Sequence, residues 1–181
     1  MALLKIAHLG NPLLRERSPE VREDKIRSDK IQKLIRDMLE TMRDAYGAGI
    51  AAPQVYSPVR VCMVEVNENP RYPGAPQIPL HILINPVIVQ HSNETNEDWE
   101  GCLSINGIRG LVPRYNWVVV SASDREANSY SLRADGFFAR AIQHEIDHLD
   151  GYLFIDRMPD LTTLTEADEY RKFWTHEGTN K

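Results

Sequence analysis

The chain has almost no cysteine. Cys62 and Cys102 are its only two, too few for a disulfide framework. It has no apolar run approaching the roughly 18 residues of a membrane-crossing helix. The opening stretch Met1-Ala2-Leu3-Leu4-Lys5-Ile6-Ala7-His8 is too briefly apolar for a signal peptide, and it lacks the Arg- and Ser-rich character of a transit segment. The expectation is a cytoplasmic chain with no membrane contact that begins at or near Met1. A basic surplus is missing too: 21 Lys and Arg stand against 26 Asp and Glu, for a net charge of −5. Direct nucleic-acid binding normally shows a concentrated basic face, so it is not expected. Repeats, low-complexity tracts and linkers are absent, so we read one domain over residues 1–181. With 42% hydrophobic and 26% charged residues, it can bury an ordinary globular core.

The clearest pattern is helical. Ile31, Leu34, Ile35, Met38, Leu39 and Met42 recur on one stripe of a helix from about Asp29 to Tyr46, with Ser28 or Asp29 as cap and Gly47 as stop. Gly47-Ala48-Gly49-Ile50-Ala51-Ala52-Pro53-Gln54 follows, with neither a helical nor a strand period. Residues 59–66 and 80–90 read as strands separated by a Pro-rich surface loop, Asn67 to Pro79. Residues 116–123 form another strand, and Asp124 to Asn128 a turn into a short strand near Tyr130–Arg133. A second helix spans roughly Gly136 to Leu149, and a short last one runs from Glu166 to Trp174 with Thr165 as cap. The class is α+β: mainly antiparallel strands around a central helix, one long N-terminal helix and a short C-terminal one.

His144-Glu145-Ile146-Asp147-His148 is an HExxH segment inside that central helix. Residues four apart share a helical face, so both imidazoles can reach one metal ion, with Glu145 beside them to take a proton from an activated water. A catalytic site needs a third protein ligand and an open position. The metzincin spacing would put that ligand at 154, where the chain has Phe154. A thermolysin-like arrangement would draw on Glu166 or Glu169, which fit an exposed face of the terminal helix. Cys102, in Glu100-Gly101-Cys102-Leu103-Ser104, is the better candidate. Gly101 admits close backbone approach, and a thiolate is a strong donor to Zn²⁺ or Fe²⁺. Cys62, in Val59-Arg60-Val61-Cys62-Met63-Val64, reads as a buried core thiol. Asp147 points off the ligand face and reads as an exposed or supporting carboxylate. His8, His81, His91 and His176 stand in no ligand spacing and read as surface or strand residues. Three readings stay open: a hydrolase with Cys102 as third ligand, a zinc protease or amidase with Glu166, and a metal-binding module without turnover.

Taken together, the glycine segment 47–54, the segment 100–104 and Gln143 to His148 resemble the peptide deformylases. In that family GxGxAAxQ, EGCLS and QHExDH segments meet around one divalent metal. Ile84-Asn85-Pro86, Arg109 to Arg114, and Leu149-Asp150-Gly151 through Asp156-Arg157-Met158 extend the likeness over essentially the whole chain. The resemblance implies a single catalytic domain that removes the N-formyl group from the initiator methionine of nascent peptides and releases formate. It implies Cys102, His144 and His148 as metal ligands and Glu145 as the proton carrier. The Gln54 amide and the Leu103 backbone N–H would meet the oxyanion. Ala48, Gly49, Ile50 and Arg109 would bind substrate, Gly49 through its backbone. It further implies Fe²⁺ in the cell with Zn²⁺ or Ni²⁺ as alternative occupants, and transient contact with the ribosome. Two positions depart from the family pattern: Ala48 replaces the usual Val or Ile, and Asn106 the usual Pro of Ser-(Val/Ile)-Pro-Gly.

Overall fold

A computed structural model describes residues 2–67 and 74–175. His176 and part of the Pro-rich segment lie outside them. Helix α1 (Glu23–Ile26) leads into α2 (Asp29–Asp44). The Ser28 hydroxyl accepts the Ile31 N–H at the start of α2, and the stripe Ile31, Ile35, Met38 and Met42 is buried. The helix stops two residues short of the expected end. Tyr46 takes a left-handed φ of 52°, and the Gly47 N–H turns back onto the Met42 carbonyl at 2.8 Å.

Strands β1 (Gly49–Ala51), β2 (Val61–Val66), β3 (Ile78–His91), β6 (Trp117–Ser123) and β7 (Ser129–Asp135) form a five-stranded antiparallel sheet in that order. The intervening β4 (Thr95–Cys102) and β5 (Ile105–Tyr115) make a hairpin that β8 (Thr165–Glu166) extends into a second antiparallel sheet. Helix α3 (Gly136–Leu149) packs on the larger sheet, and α4 (Ala167–Phe173) lies near the hairpin.

β2 explains why the two main helices end up on opposite sides. All six of its residues are buried, and side chains alternate faces along a strand. Val61 and Met63 join Ile35, Met38 and Met42 of α2 in one cluster. Cys62, Val64 and Val66 join Ala139, Ile142, Ile146 and Leu149 of α3 in another. Each fully buried aliphatic side chain contributes about 1.5–3 kcal/mol. Helices this short are marginal alone, so the sheet holds them in place. A third cluster, including Leu14, Val112, Leu153 and Phe154, closes under the hairpin.

Several expectations change. The glycine segment, read as irregular, is strand β1 followed by a 3₁₀ turn over Ala52–Val55. The hairpin that carries Cys102 adds two strands to those the sequence pattern predicts. The cap of α4 is Glu166 rather than Thr165, and its side chain makes no capping bond. Among the described residues, no helix is long and apolar enough to cross a membrane.

Candidate active site

The end of β4 brings Cys102 to the face of α3 that carries His144 and His148. One ligand atom from each lies within 4.8 Å of the others. Cys102 Sγ is 3.2 Å from His148 Nε2, and it also accepts the Ser104 backbone N–H at 3.3 Å and the Gln54 Nε2 N–H at 3.5 Å. Burial works against ionising this thiol, yet the adjacent His148 and His144 bring it well below the ordinary thiol range. Cys62, by contrast, is pushed well up by burial and by the charge of Glu145, against the weaker pull of Arg60.

The carboxylate that orients His144 is Glu100. Its Oε2 lies 2.9 Å from His144 Nδ1, which leaves Nε2 as the nitrogen able to ligate. Glu100 is itself buried and held by two arginines. Arg114 donates to both its oxygens at 2.9 and 3.0 Å, and Arg140, one turn before His144, donates at 2.8 Å. Burial alone would raise this carboxyl, but His144 and Arg114 hold it far below the usual carboxylate range. Arg114 continues to Asp147, which Arg157 grips from the other side at 2.7 Å. Asp147 is therefore a buried anchor of the supporting network.

Glu145 is buried between the two histidines in sequence, and its Oε2 has no hydrogen-bond partner among the described residues. Burial pushes its carboxyl up to about 7, against the pull of His144 and His148. Strand β1 runs directly over it. A Cβ at Gly49 would fall 2.4 Å from Glu145 Oε1 and 2.8 Å from its Cγ and Cδ, so only glycine admits this approach. Gly49→Ala is expected to displace the carboxylate and lower kcat about 10²-fold, since small misplacements have that effect. Metal content should be kept. A variant with wild-type kcat would show that this contact does not set the position of Glu145.

Gln54 is fixed in orientation by the 3₁₀ turn. Its Oε1 accepts the Ala51 N–H at 2.8 Å, and Nε2 donates to Ser104 Oγ at 3.1 Å, so the amide N–H groups face the sulfur. An open pocket of about 510 Å³ adjoins these groups and reaches Leu103. Its walls include Ala48, Trp99, Phe137 and Ala141. The side chain of Ile50 does not reach it. Alternation along β1 turns that side chain into the cluster beneath α2, which leaves only its backbone on the site edge. Arg109 pairs in register with Gly101 and lies against it. Phe154, where a metzincin would carry a ligand, is buried with its ring 6.4 Å from that of His144. Glu166 pairs with Ile108 in β8, and neither it nor Glu169 joins the donor group. His81 and His91 are strand residues with their rings against Phe138 and Tyr115.

Three sulfur and nitrogen donors converging beside an unpartnered buried carboxylate oxygen fit a catalytic metal with an open position. Residues 3–163 match the family described as polypeptide deformylase. This chain belongs to that family. It is 48% identical over 174 residues to peptide deformylase 2 of Nostoc sp., covering 96% of both chains. Its identity with peptide deformylase 1 of Bordetella pertussis is 45%, over 87% of this chain and 88% of that one. The structure is similar to a class I type b peptide deformylase of Acinetobacter baumannii bound to Met-Ala-Ser. That comparison has a TM-score of 0.84 and 38% identity, covering 86% of this chain and 98% of that one. A Synechococcus elongatus deformylase in complex with actinonin gives a TM-score of 0.78 at 37% identity, over 88% and 81% of the two chains.

Sequence reasoning gave no role to the deformylase's supporting residues Glu100, Arg114 and Arg140, or to the pocket walls Trp99, Phe137 and Ala141. Arg140 did carry a signal: a charged side chain amid apolar helix residues calls for a buried partner.

Proposed function

We propose that this polypeptide deformylase holds one divalent metal ion on Cys102, His144 and His148, with Glu145 as its proton carrier, in one catalytic domain. The enzyme removes the N-formyl group from N-formylmethionine at the start of new peptides and releases formate. The observation that carries the site assignment is the convergence of one sulfur and two imidazoles within 4.8 Å beside the buried Glu145.

When bound, a divalent ion polarises the formyl oxygen and lowers the pKa of water toward about 7. Glu145 accepts the proton of the attacking water and later gives one to the departing amine. Burial, which raises this carboxyl, suits the half of that shuttle in which it holds the proton. As negative charge grows on the formyl oxygen, the Gln54 amide turns to it the N–H that faces Cys102 Sγ, and the Leu103 backbone N–H donates alongside. Gly49 offers its backbone to the extended peptide. The methionine side chain enters among Trp99, Phe137 and the two small residues Ala48 and Ala141, and Arg109 lies beside the peptide that follows. Formylated nascent chains are made where translation takes place, which supports a cytoplasmic location and transient contact with the ribosome.

Fe²⁺ is the native ion in this reading on the strength of the family resemblance, and one thiolate with two imidazoles can also accept Ni²⁺ or Zn²⁺. The test is formate release from formyl-Met-Ala-Ser after reconstitution with each metal, with X-ray absorption to look for a sulfur ligand. Release with a sulfur in the metal's shell is expected; no release with any metal overturns the proposal. The iron form should lose activity in air faster than the nickel form. Fe²⁺ oxidises readily, and fresh iron reverses that loss but does not reverse oxidation of Cys102. Equal decay of both forms would show that metal oxidation is not the route of loss.

A further inference from the structure

The chain after residue 163 lies beyond the stretch that matches the deformylase family, yet it returns to the rim of the active-site pocket. β8 adds to the edge of β5 by pairing Thr165 with Arg109 and Glu166 with Ile108. Helix α4 then brings the Tyr170 ring to 4.9 Å from the ring of Trp99, and Trp174 follows at 5.3 Å on the same indole. The Tyr170 ring also lies 5.6 Å from the guanidinium carbon of Arg109. Both partners sit at the substrate side of the site. Trp99 lines the pocket, three residues before the ligand Cys102. Arg109 crosses Gly101 so closely that a Cβ there would meet its Cδ at 3.1 Å and its Nε and Nη1 at 3.2 Å. One side chain outside the matched stretch thus touches both the wall of the pocket and the arginine beside it.

We propose that Tyr170, backed by Trp174, is a positioning residue for substrate binding. It holds Trp99 against the pocket that receives the first side chain and Arg109 beside the path of the following peptide. This rests on the deformylase reading of the pocket. The ring contacts of Tyr170 are with Trp99 and Arg109, neither of which is a proposed ligand or proton carrier. Loss of its ring therefore weakens substrate binding equally in the ground and transition states, which raises KM and leaves kcat in place. The contacts use the ring face rather than the hydroxyl, so Tyr170→Phe keeps them.

The experiment compares full-length, nickel-loaded variants on formyl-Met-Ala-Ser, with metal content and melting temperature measured alongside. Tyr170→Ala is expected to raise KM about three- to tenfold, the scale of one aromatic contact, with kcat within about twofold. Tyr170→Phe should match wild type, as should Phe173→Ala, a change at a 65% exposed position of the same helix. Trp174→Ala acts on Trp99 alone and should raise KM by less. If Tyr170→Ala does not fold, Trp174→Ala carries the test. An unchanged KM in Tyr170→Ala and Trp174→Ala overturns the proposal while leaving deformylase activity intact. So does a kcat that falls in step with metal content, or a Tyr170→Phe variant that behaves like Tyr170→Ala. A wild-type protein that releases no formate with any metal brings down the deformylase reading and this one with it.

Discussion

Glu145→Gln is expected to keep the metal and lower kcat by about 10²–10⁴-fold, the usual contribution of one positioned acid–base group. The substitution is nearly isosteric and touches no donor atom, so Cys102, His144 and His148 should still converge. What disappears is the capacity to take up and release a proton. Glu145 has been given little else to do: its Oε2 is buried with no partner among the described residues, and Gly49 keeps a Cβ out of its way. A buried carboxylate oxygen without a partner costs stability, and a catalytic role is one reason for a protein to keep it. Metal analysis and formate release on the same preparation check the expectation. Activity within tenfold of wild type would remove Glu145 from the mechanism.

The second large effect is on stability and metal retention. Glu100→Gln removes the negative charge that faces Arg114, Arg140 and His144 inside the protein. Breaking a buried ion pair from one side leaves the other charge uncompensated, at about 3–5 kcal/mol. Asp147 shares Arg114 and blunts part of that for this guanidinium, but Arg140 has only backbone and Asn96 oxygens left. For a chain of this size the loss corresponds to a fall of about 6–20 °C in melting temperature. His144 also loses the charged partner of its Nδ1, and metal affinity should drop about 10–100-fold, as when other outer partners of ligating histidines are removed. Thermal melts of apo and loaded protein, with a competing chelator to read affinity, separate the two effects. Unchanged affinity would mean that the helix alone orients His144.

The reactive groups were legible because their chemistry is local. HExxH places two imidazoles on one face by helical geometry alone, and Gly101 beside Cys102 marks a close approach. The hairpin that delivers Cys102 was not legible. β4 reads Thr95-Asn96-Glu97-Asp98-Trp99-Glu100-Gly101-Cys102, polar and without alternation, because its outer half is exposed and its inner end faces a charged network. Strand signals rest on apolar alternation, and this strand buries Glu100 instead.

By itself, then, the amino-acid sequence determined the family and the α+β class and named the proposed donor set and proton carrier, since each is written in residue type and short spacing. Only the tertiary structure decided which face of β1 meets the site, turning Ile50 into the core and Gly49 onto Glu145. It alone joined Glu100, Arg114 and Arg140 into the support of His144, and returned Tyr170 to Trp99 and Arg109. Of the contacting partners, Glu100 and Arg114 lie 14 residues apart, and Tyr170 and Trp99 lie 71 apart. Burial, which gives such pairings their strength, arises only when the two sheets and α3 close on one another.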